Sequence, residues 1–231
     1  MPIQRPSLAT LALLASLGAA GCGDPEDHRA APPANGPGAW RELVGGESPA
    51  GWRRLDFGGD GGAVGFAEGS IKLGRGMPLA AVVIDDPSFA PPADDYELVA
   101  RARKLDGRDF FCALTFPVPE KEAHCTFVAG GWGGGVTGLS NIDHLDANRN
   151  RTRSSLFYET GLWYELRVEV RRGRIRCWVD ERLVVNALIA DRLVSLRPGD
   201  IEQCAPLGLA SYETAAEISS LRIRALPPET R

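Results

Sequence analysis

The sequence predicts an all-β domain, either a sandwich or a barrel, and three observations point to it. Short apolar runs recur along the chain, glycine and proline separate them at regular intervals, and helical periodicity is almost absent. The chain has 231 residues, including 27 Gly and 17 Pro, and 44% of it is hydrophobic while 24% is charged. This composition is typical of a folded globular protein and not of a disordered one.

Residues 1–21 are predicted to be an export signal of the lipoprotein type. Arg5 precedes an apolar stretch, Leu8 to Ala20, that is shorter than the roughly 20 residues a membrane-spanning helix needs. The stretch ends in Ala19-Ala20-Gly21-Cys22, which is similar to a bacterial lipoprotein cleavage site. We therefore expect lipid on Cys22 and an exported protein anchored to a membrane of the periplasm or outer membrane. An ordinary secretory signal followed by an incidental cysteine is the alternative.

The rest of the chain divides into a tether and one domain. Residues 22–38 are rich in proline, alanine and glycine without apolar periodicity, which predicts a flexible tether. Residues 39–231 remain for a single β-sandwich domain with a sizeable core. Lys and Arg number 26 against 30 Asp and Glu, so the net charge is −4, and this balance argues against a nucleic-acid partner.

Candidate strands follow one another along this domain, with turn residues between them. They lie at 52–57, 71–73, 79–84, 96–103, 110–116, 125–129, 164–171, 174–180, 207–212 and 218–224. Residues 183–190 fit a short helix as well as a strand, because periodicity does not decide between the two.

The segments on either side of Arg172-Gly173 predict a β-hairpin with a two-residue turn. In this register Val168 lies opposite Cys177 in the core, and Arg167 lies opposite Trp178 on the outer face. Two interpretations of Trp178 stay open. It packs against other protein groups, or it offers a flat aromatic platform to a sugar ring.

A second hairpin is predicted around a turn at residues 117–122, and symmetric pairing sets Cys112 opposite Cys125. Disulfides persist in the compartments that exported proteins reach. The favoured pairing is therefore Cys112–Cys125 together with Cys177–Cys204. Four buried free thiols are the alternative, because free cysteine is commonly a small core residue.

Four segments carry a resemblance to a known family. They are FFCALTF, CTFVAGGWGGGVTGLSNIDHLDANRNRT, GLWYELRVEVRRGRIRCWVDERLVV and PLGLASYETAAEISSLRIRAL. From about Trp52 to Leu226 the chain resembles the 3-keto-disaccharide hydrolase family, which is abundant in exported proteins of planctomycete-type bacteria. The resemblance implies a concanavalin-like jelly roll of two antiparallel sheets, with sugars as ligands. Family members often carry a Gln and a His-Gly near the closing strands, where this chain has Ser211-Tyr212-Glu213 and no His.

Sequence motifs for nucleotide binding, zinc peptidases, serine hydrolases and thioredoxin chemistry are absent. The run from Gly130 to Gly135 is rich in glycine, but no helical pattern follows it to hold a phosphate. It predicts a tight turn or a close approach between strands, with Trp132 at its centre as an aromatic contact.

The loop at residues 140–153 concentrates Asn, Asp and Arg, which hydrogen-bond sugar hydroxyls. If the domain is catalytic, the resemblance implies cleavage of a 3-keto glycoside, with His144 or Asp143 as the base and Arg149 or a cation stabilising the enolate. The sequence requires no cofactor, although loop carboxylates could ligate Ca²⁺ or another divalent cation. A solvated polar connection is the alternative. The candidate sugar-binding residues are Trp132, Asn141, Asp146, Asn148, Arg149, Arg167, Trp178, Tyr212 and Glu213.

Two functions follow from these observations. One is a cell-envelope domain that acts on or binds glycosides, including 3-keto glycosides. The other is a non-catalytic glycan-binding or structural surface lipoprotein. The expected partners are a glycan or small saccharide and, through the N-terminal lipid only, a membrane.

Overall fold

The computed structural model describes residues 38–46, 51–93 and 95–228. These residues fold into two stacked antiparallel sheets, which confirms the predicted concanavalin-like jelly roll. The predicted signal segment, Cys22 and nearly all of the tether lie outside the described residues. Within the described part of the chain, no helix is long and apolar enough to cross a membrane.

The strands are short and follow one another with brief connections, as the glycine and proline punctuation predicts. They are β1 Arg41–Val44, β2 Trp52–Arg54, β3 Val64–Ala67, β4 Ser70–Leu73, β5 Ala80–Ile84, β6 Tyr96–Gly107, β7 Cys112–Val118, β8 Ala123–Gly130, β9 Val136–Ser140, β10 Ser154–Ser155, β11 Trp163–Arg171, β12 Arg174–Val179, β13 Arg182–Leu188, β14 Gly208–Ser211 and β15 Thr214–Ala225. Short helical turns lie at Pro119–Lys121, Gly131–Gly134 and Asp200–Cys204.

Both sheets are built from antiparallel neighbours. The eight-stranded sheet has the order β13-β12-β11-β6-β15-β4-β3, and β1 pairs with the second half of β15. The seven-stranded sheet has the order β10-β9-β8-β7-β14-β5-β2. Residues 183–190, left open between helix and strand, contribute to β13 at the edge of the eight-stranded sheet.

The main core lies between the two sheets and is filled by alternate residues of each strand. In β12 the buried residues are Ile175, Cys177 and Val179, whereas Arg176 and Trp178 face outwards. The large aromatic side chains Tyr96, Phe111, Phe116 and Phe127 are fully buried in this layer. The alternation leaves each sheet with a second face that the main core does not cover.

The β11–β12 hairpin forms as the sequence predicts. Val168 pairs with Cys177, Glu169 with Arg176, and Arg167 with Trp178. The register is set by the alternation itself, because a slip by one residue would turn every apolar side chain of the pair towards solvent.

The predicted register of the β7–β8 hairpin is wrong. The turn spans only residues 119–122, so Cys112 lies opposite Ala129 and Cys125 lies opposite Phe116. Val118 is fully buried, and the ladder extends to the pair Val118–Ala123 to cover it. The shift is by an even number of residues, so both cysteines still point into the core.

The predicted disulfides are also absent, and the alternative of buried free thiols holds. Cys112, Cys125, Cys177 and Cys204 are all free and all buried. Cys204 packs in a second cluster outside the main core, whereas Cys177 lies within it, so the two sulfurs belong to different layers. Burial raises the pKa of Cys112, Cys125 and Cys204 to about 12.

Candidate functional site

A groove runs over the outer face of the seven-stranded sheet. Its floor is made by outward-facing residues of three adjacent strands: Ala113 of β7, Thr126 and Val128 of β8, and Ser140 of β9. The groove encloses about 470 Å³, which falls in the range of roughly 300–1,000 Å³ that is typical of small-ligand sites.

Aromatic side chains form the rim of this groove. Phe110 and Tyr212 stack with their ring centroids 5.9 Å apart and an interplanar angle of 28°. Trp132 also lines the groove and is half-buried against the second apolar cluster. The Arg197 guanidinium lies 5.9 Å from the Trp132 ring centroid, within the range of a cation–π contact.

Trp132 reaches the groove because the chain makes a sharp turn at Gly131–Gly134. Trp132 has φ 50° and ψ 57°, and Gly133 has φ 81°, so both lie in the left-handed region. Such a conformation is costly for a tryptophan, and neighbouring contacts must hold it. The Asp109 carboxylate does so by accepting a hydrogen bond from the Gly133 backbone N–H at 2.8 Å.

Polar groups lie both on the floor and on the walls of the groove. The Thr126 hydroxyl forms a hydrogen bond of 3.0 Å with that of Thr115 on the neighbouring strand. Asp109, Asp200 and Arg197 are the charged residues of the lining, and both carboxylate oxygens of Asp109 accept hydrogen bonds from backbone N–H groups. Aromatic faces beside hydroxyl, carboxylate and guanidinium groups can pack against the apolar face of a sugar ring and hydrogen-bond its hydroxyls.

Two of the predicted sugar-binding residues, Trp132 and Tyr212, line the groove. Glu213 follows Tyr212 in the chain, and its carboxylate is 2.9 Å from the Arg108 guanidinium. Glu213 has φ 46°, so it makes the turn that leads from β14 into β15. It supports the Tyr212 end of the groove without being part of the lining.

The predicted polar loop is held by hydrogen bonds within itself and to residues 192–196. The groove lining includes none of Asn141, Asp143, His144, Asp146, Asn148 and Arg149. Asn141 is buried, and its amide donates to the Leu196 carbonyl at 3.4 Å. The Asp146 carboxylate accepts from the Asn148 backbone N–H at 3.1 Å. His144 is exposed.

Asp143 is bound in an ion pair with Arg192 at 2.7 Å and also accepts from the Leu193 backbone N–H at 3.0 Å. The hydrogen bond from Arg192 is the largest cause that lowers the Asp143 pKa below its ordinary value. A carboxylate with a lowered pKa is a poor general base.

The described residues contain no group of three or more His, Cys, Asp or Glu side chains placed to hold a metal ion. The two loop carboxylates considered for Ca²⁺, Asp143 and Asp146, accept hydrogen bonds from Arg192 and Asn148. Within the described residues this loop therefore gives no support to a cation site, and a divalent cation stays a prediction.

Trp178 and Arg167 lie on the outer face of the other sheet. The Arg167 guanidinium is 3.7 Å from the Trp178 ring centroid, which gives the predicted cross-strand contact. The two sheets are separated by the main core, so Trp178 and Trp132 belong to opposite sides of the domain.

Sequence reasoning missed several groove residues. Thr126 and Ser140 were not singled out, although strand alternation places them outwards, opposite each other in the β8–β9 pair. Arg197 and Asp200 lie in the connection after β13, where no local pattern indicates that it folds over a distant sheet. The contacts of the Asp200–Cys204 turn with β5 and β14 bring them to the groove.

Solved structures with this architecture include sugar-binding and sugar-processing proteins. The exoplasmic/lumenal domain of VIP36, in a form bound to Ca²⁺ and Man3GlcNAc, is 12% identical over 82% of this chain and 90% of that chain, with a TM-score of 0.52. A sialidase is 12% identical over 82% of this chain and 18% of that chain, also with a TM-score of 0.52. The carbohydrate-binding module CBM66 from Bacillus subtilis is 15% identical over 76% of this chain and 96% of that chain, with a TM-score of 0.47.

Identities this low show a shared fold and no more. No family model matches the chain, and no match was found among curated proteins. Fold and site together define a concanavalin-like jelly-roll domain with an aromatic-rimmed groove on its seven-stranded sheet.

Proposed function

We propose that this chain is an exported carbohydrate-binding protein of the cell envelope, which binds a saccharide in the groove of the seven-stranded sheet. The observation that carries the proposal is the combination of Trp132 and the Phe110–Tyr212 stack with the exposed polar residues Arg197 and Asp200 of the same groove. Aromatic faces supply contact area for the C–H face of a sugar, and the polar groups supply hydrogen bonds. VIP36, whose solved domain is bound to Man3GlcNAc, shares this fold, and this agrees with a groove that binds a saccharide.

The proposal also covers where the protein is located in the cell. A signal segment over residues 1–21, lipid on Cys22 and a tether over residues 22–38 would hold the domain, from residue 39 onwards, at a membrane. Replacing Cys22 with alanine is then expected to move the protein from the membrane fraction to the soluble fraction of the envelope. An unchanged distribution of Cys22→Ala would refute the lipid anchor.

A glycan array probed with the full chain tests the binding function. We expect a limited set of related saccharides to bind. Isothermal titration with the best of them should give one site per chain. The saccharide should also reduce the quenching of tryptophan fluorescence in the parent, and this protection should be lost in Trp132→Phe. Absence of binding to every glycan would refute the proposal.

Cleavage of a 3-keto glycoside is the second candidate function, and two residues of the groove favour it. The ketone acidifies the neighbouring C–H, and the enolate formed when a base takes that proton expels the glycosidic oxygen, which leaves as an alcohol after protonation, while water adds to the remaining double bond. The reaction therefore needs a base for the proton and a cation near the enolate oxygen. Asp200 and Arg197 bring these two groups to the groove lining. Incubation with 3-keto-lactose, followed by detection of free monosaccharide, separates this function from binding alone. Asp200→Asn is the variant expected to abolish the reaction and retain binding.

A further inference from the structure

The outer face of the eight-stranded sheet carries three tryptophans, each stacked with two arginines. Trp40 lies 4.7 Å from the Arg222 guanidinium and 4.4 Å from that of Arg224. Trp163 lies 4.6 Å from Arg101 and 4.4 Å from Arg103. Trp178 lies 3.7 Å from Arg167 and 5.8 Å from Arg176. We call these nine residues the arginine–tryptophan face.

The carboxylates that pair with these arginines lie beneath them. Glu97, Glu169 and Glu217 are only 3%, 8% and 9% exposed. Arg103 binds Glu217 at 2.6 Å, and Arg224 binds Glu97. Carboxylates buried in the sheet hold the guanidiniums from below, so guanidiniums and indole rings make up most of the layer in contact with solvent.

The charge on this side of the domain is opposite in sign to that of the whole chain. Lys72 and Arg174 occupy outward positions of the same sheet and add to the six stacked arginines, whereas Arg171 is held in ion pairs with Asp95 and Glu169. Two exposed carboxylates, Glu42 and Glu165, lie near Arg222 and oppose them in part. Basic groups still outnumber acidic ones on this sheet face, whereas the chain as a whole has a net charge of −4.

The chain enters the domain at this face. Trp40 lies two residues after Gly38, the first described residue, and it precedes β1, which pairs with β15. The connection from Cys22 to Gly38 can span at most about 55 Å, because an extended chain advances about 3.3–3.6 Å per residue. A lipid on Cys22 would therefore keep the arginine–tryptophan face within reach of the bilayer surface.

We propose that the arginine–tryptophan face binds an anionic lipid surface and so orients the domain on a membrane. Guanidiniums bind phosphate oxygens in pairs, and indole rings favour the interface between headgroups and hydrocarbon. The face spans β12, β11, β6 and β15, strands about 4.8 Å apart, so it offers an area rather than a line. This shape fits a plane of headgroups better than a single polysaccharide strand. The groove, on the opposite sheet, then points away from the membrane.

Vesicle flotation with the full chain tests this proposal. The probes are vesicles of phosphatidylcholine alone and vesicles in which about a third of the lipid is phosphatidylglycerol. We expect binding to the anionic vesicles to be stronger, and to weaken as salt screens the charges. Equal binding to both kinds of vesicle would overturn the proposal. The segment that precedes the domain is identical in every variant, so its own contribution to vesicle binding is the same in each of them.

A charge-matched pair of variants locates the contact. The face variant combines Arg101→Gln and Arg222→Gln, both in the arginine–tryptophan face, with Arg174→Gln, a neighbouring outward position of the same sheet. Each lost charge is expected to weaken binding to anionic vesicles about fivefold, so the triple change should weaken it on the order of 100-fold.

The control variant combines Arg53→Gln, Arg151→Gln and Arg153→Gln, all exposed and all outside the eight-stranded sheet. It should bind within about twofold of the parent, since the lost charge does not face the lipid. Circular dichroism and the unfolding temperature verify that both variants fold.

The possible results distinguish between ligands of the arginine–tryptophan face. Loss of vesicle binding by the face variant alone supports the proposal. Equal loss in both variants would show attraction without a defined face, and would overturn it. If phosphatidylglycerol has no effect but the face variant loses binding to a soluble polyuronate, the occupant is an acidic polysaccharide and the lipid proposal is wrong. None of these results depends on whether the groove binds a sugar.

Discussion

The Asp109 carboxylate accepts a hydrogen bond from the Gly133 backbone N–H at 2.8 Å, and this contact fixes the turn that carries Trp132. The other carboxylate oxygen accepts from the Phe110 N–H at 2.9 Å. One side chain thus anchors the backbone beside two aromatic rings that line the groove. Asp109 is a positioning residue for the proposed site, because it fixes where aromatic contacts are offered.

Replacing Asp109 with alanine should disorganise the groove. Two backbone N–H groups lose their acceptor, so we expect the free energy of unfolding to fall by about 1–3 kcal/mol. Saccharide affinity should fall as well, because the left-handed turn at Trp132 is no longer held. Asp109→Asn keeps one oxygen that can accept a hydrogen bond. Its free energy of unfolding and its saccharide affinity should therefore lie between those of the parent and of the alanine variant. Unchanged affinity in Asp109→Ala, measured by titration calorimetry, would argue against the positioning role.

Trp132 and Trp178 form a matched pair for locating the sugar site. Both are half-buried tryptophans, but they lie on opposite faces of the domain. Trp132→Ala should weaken saccharide binding about tenfold, the effect of losing one aromatic contact. Trp178→Ala should leave the affinity unchanged while removing the stack with Arg167. If Trp178→Ala loses affinity and Trp132→Ala does not, the saccharide binds on the eight-stranded sheet and the proposed groove is not the site.

Asp143 should contribute to acid stability and not to saccharide binding. Its pKa is lowered in the folded state, mainly by the hydrogen bond from Arg192, so its contribution is present at neutral pH and is lost as pH falls below its ordinary value of 3.8. Asp143→Asn should therefore show a shallower loss of stability on acidification. Asparagine tolerates the φ of 51° at this position, which keeps the backbone comparable. Equilibrium unfolding at several pH values measures how steeply the stability of parent and variant falls with pH. If Asp143→Asn loses the cleavage of a keto glycoside, Asp143 is the base after all.

The buried thiols should make the domain sensitive to alkaline pH. Cys112, Cys125 and Cys204 have folded-state pKa values of about 12 against an ordinary value of 9.0. Between these values the unfolded chain loses the thiol proton and the folded one keeps it, so stability is full below pH 9 and falls above it. The expected slope is about 1.4 kcal/mol per pH unit for each thiol. Cys112→Ala should show a smaller slope in urea titrations between pH 8.5 and pH 10 if the thiol is responsible.

Thiol labelling gives an independent measurement of the same burial. The four cysteines of the described residues are free and buried, so a thiol reagent should label them only as fast as the domain opens. In denaturant they should react at once. Prompt labelling of the native protein at these positions would contradict the burial. If the cysteines stay unlabelled in denaturant without reductant, they are paired in disulfides.

The hairpins show why some of the fold was predictable. The β11–β12 register follows from strict alternation on both sides of a two-residue turn, so local sequence contains all the information it needs. The β7–β8 register depends on how far the ladder extends beyond Pro117, and that is decided by the burial of Val118 against the other sheet. β9 was missed for a similar reason, since Val136–Ser140 contains a glycine and gains its strand character from its neighbours.

By itself the sequence determined the fold class, the direction in which most strand side chains point, and the aromatic character of Trp132 and Tyr212, because these depend on contacts within a few residues along the chain. Only the tertiary structure decided that Arg197 and Asp200 lie at the same groove as Thr126, and that Trp178 lies on the opposite face. The physical reason is that strand order and loop docking are fixed by burial against distant strands. Residues far apart in the chain meet only once two sheets stack around a shared core.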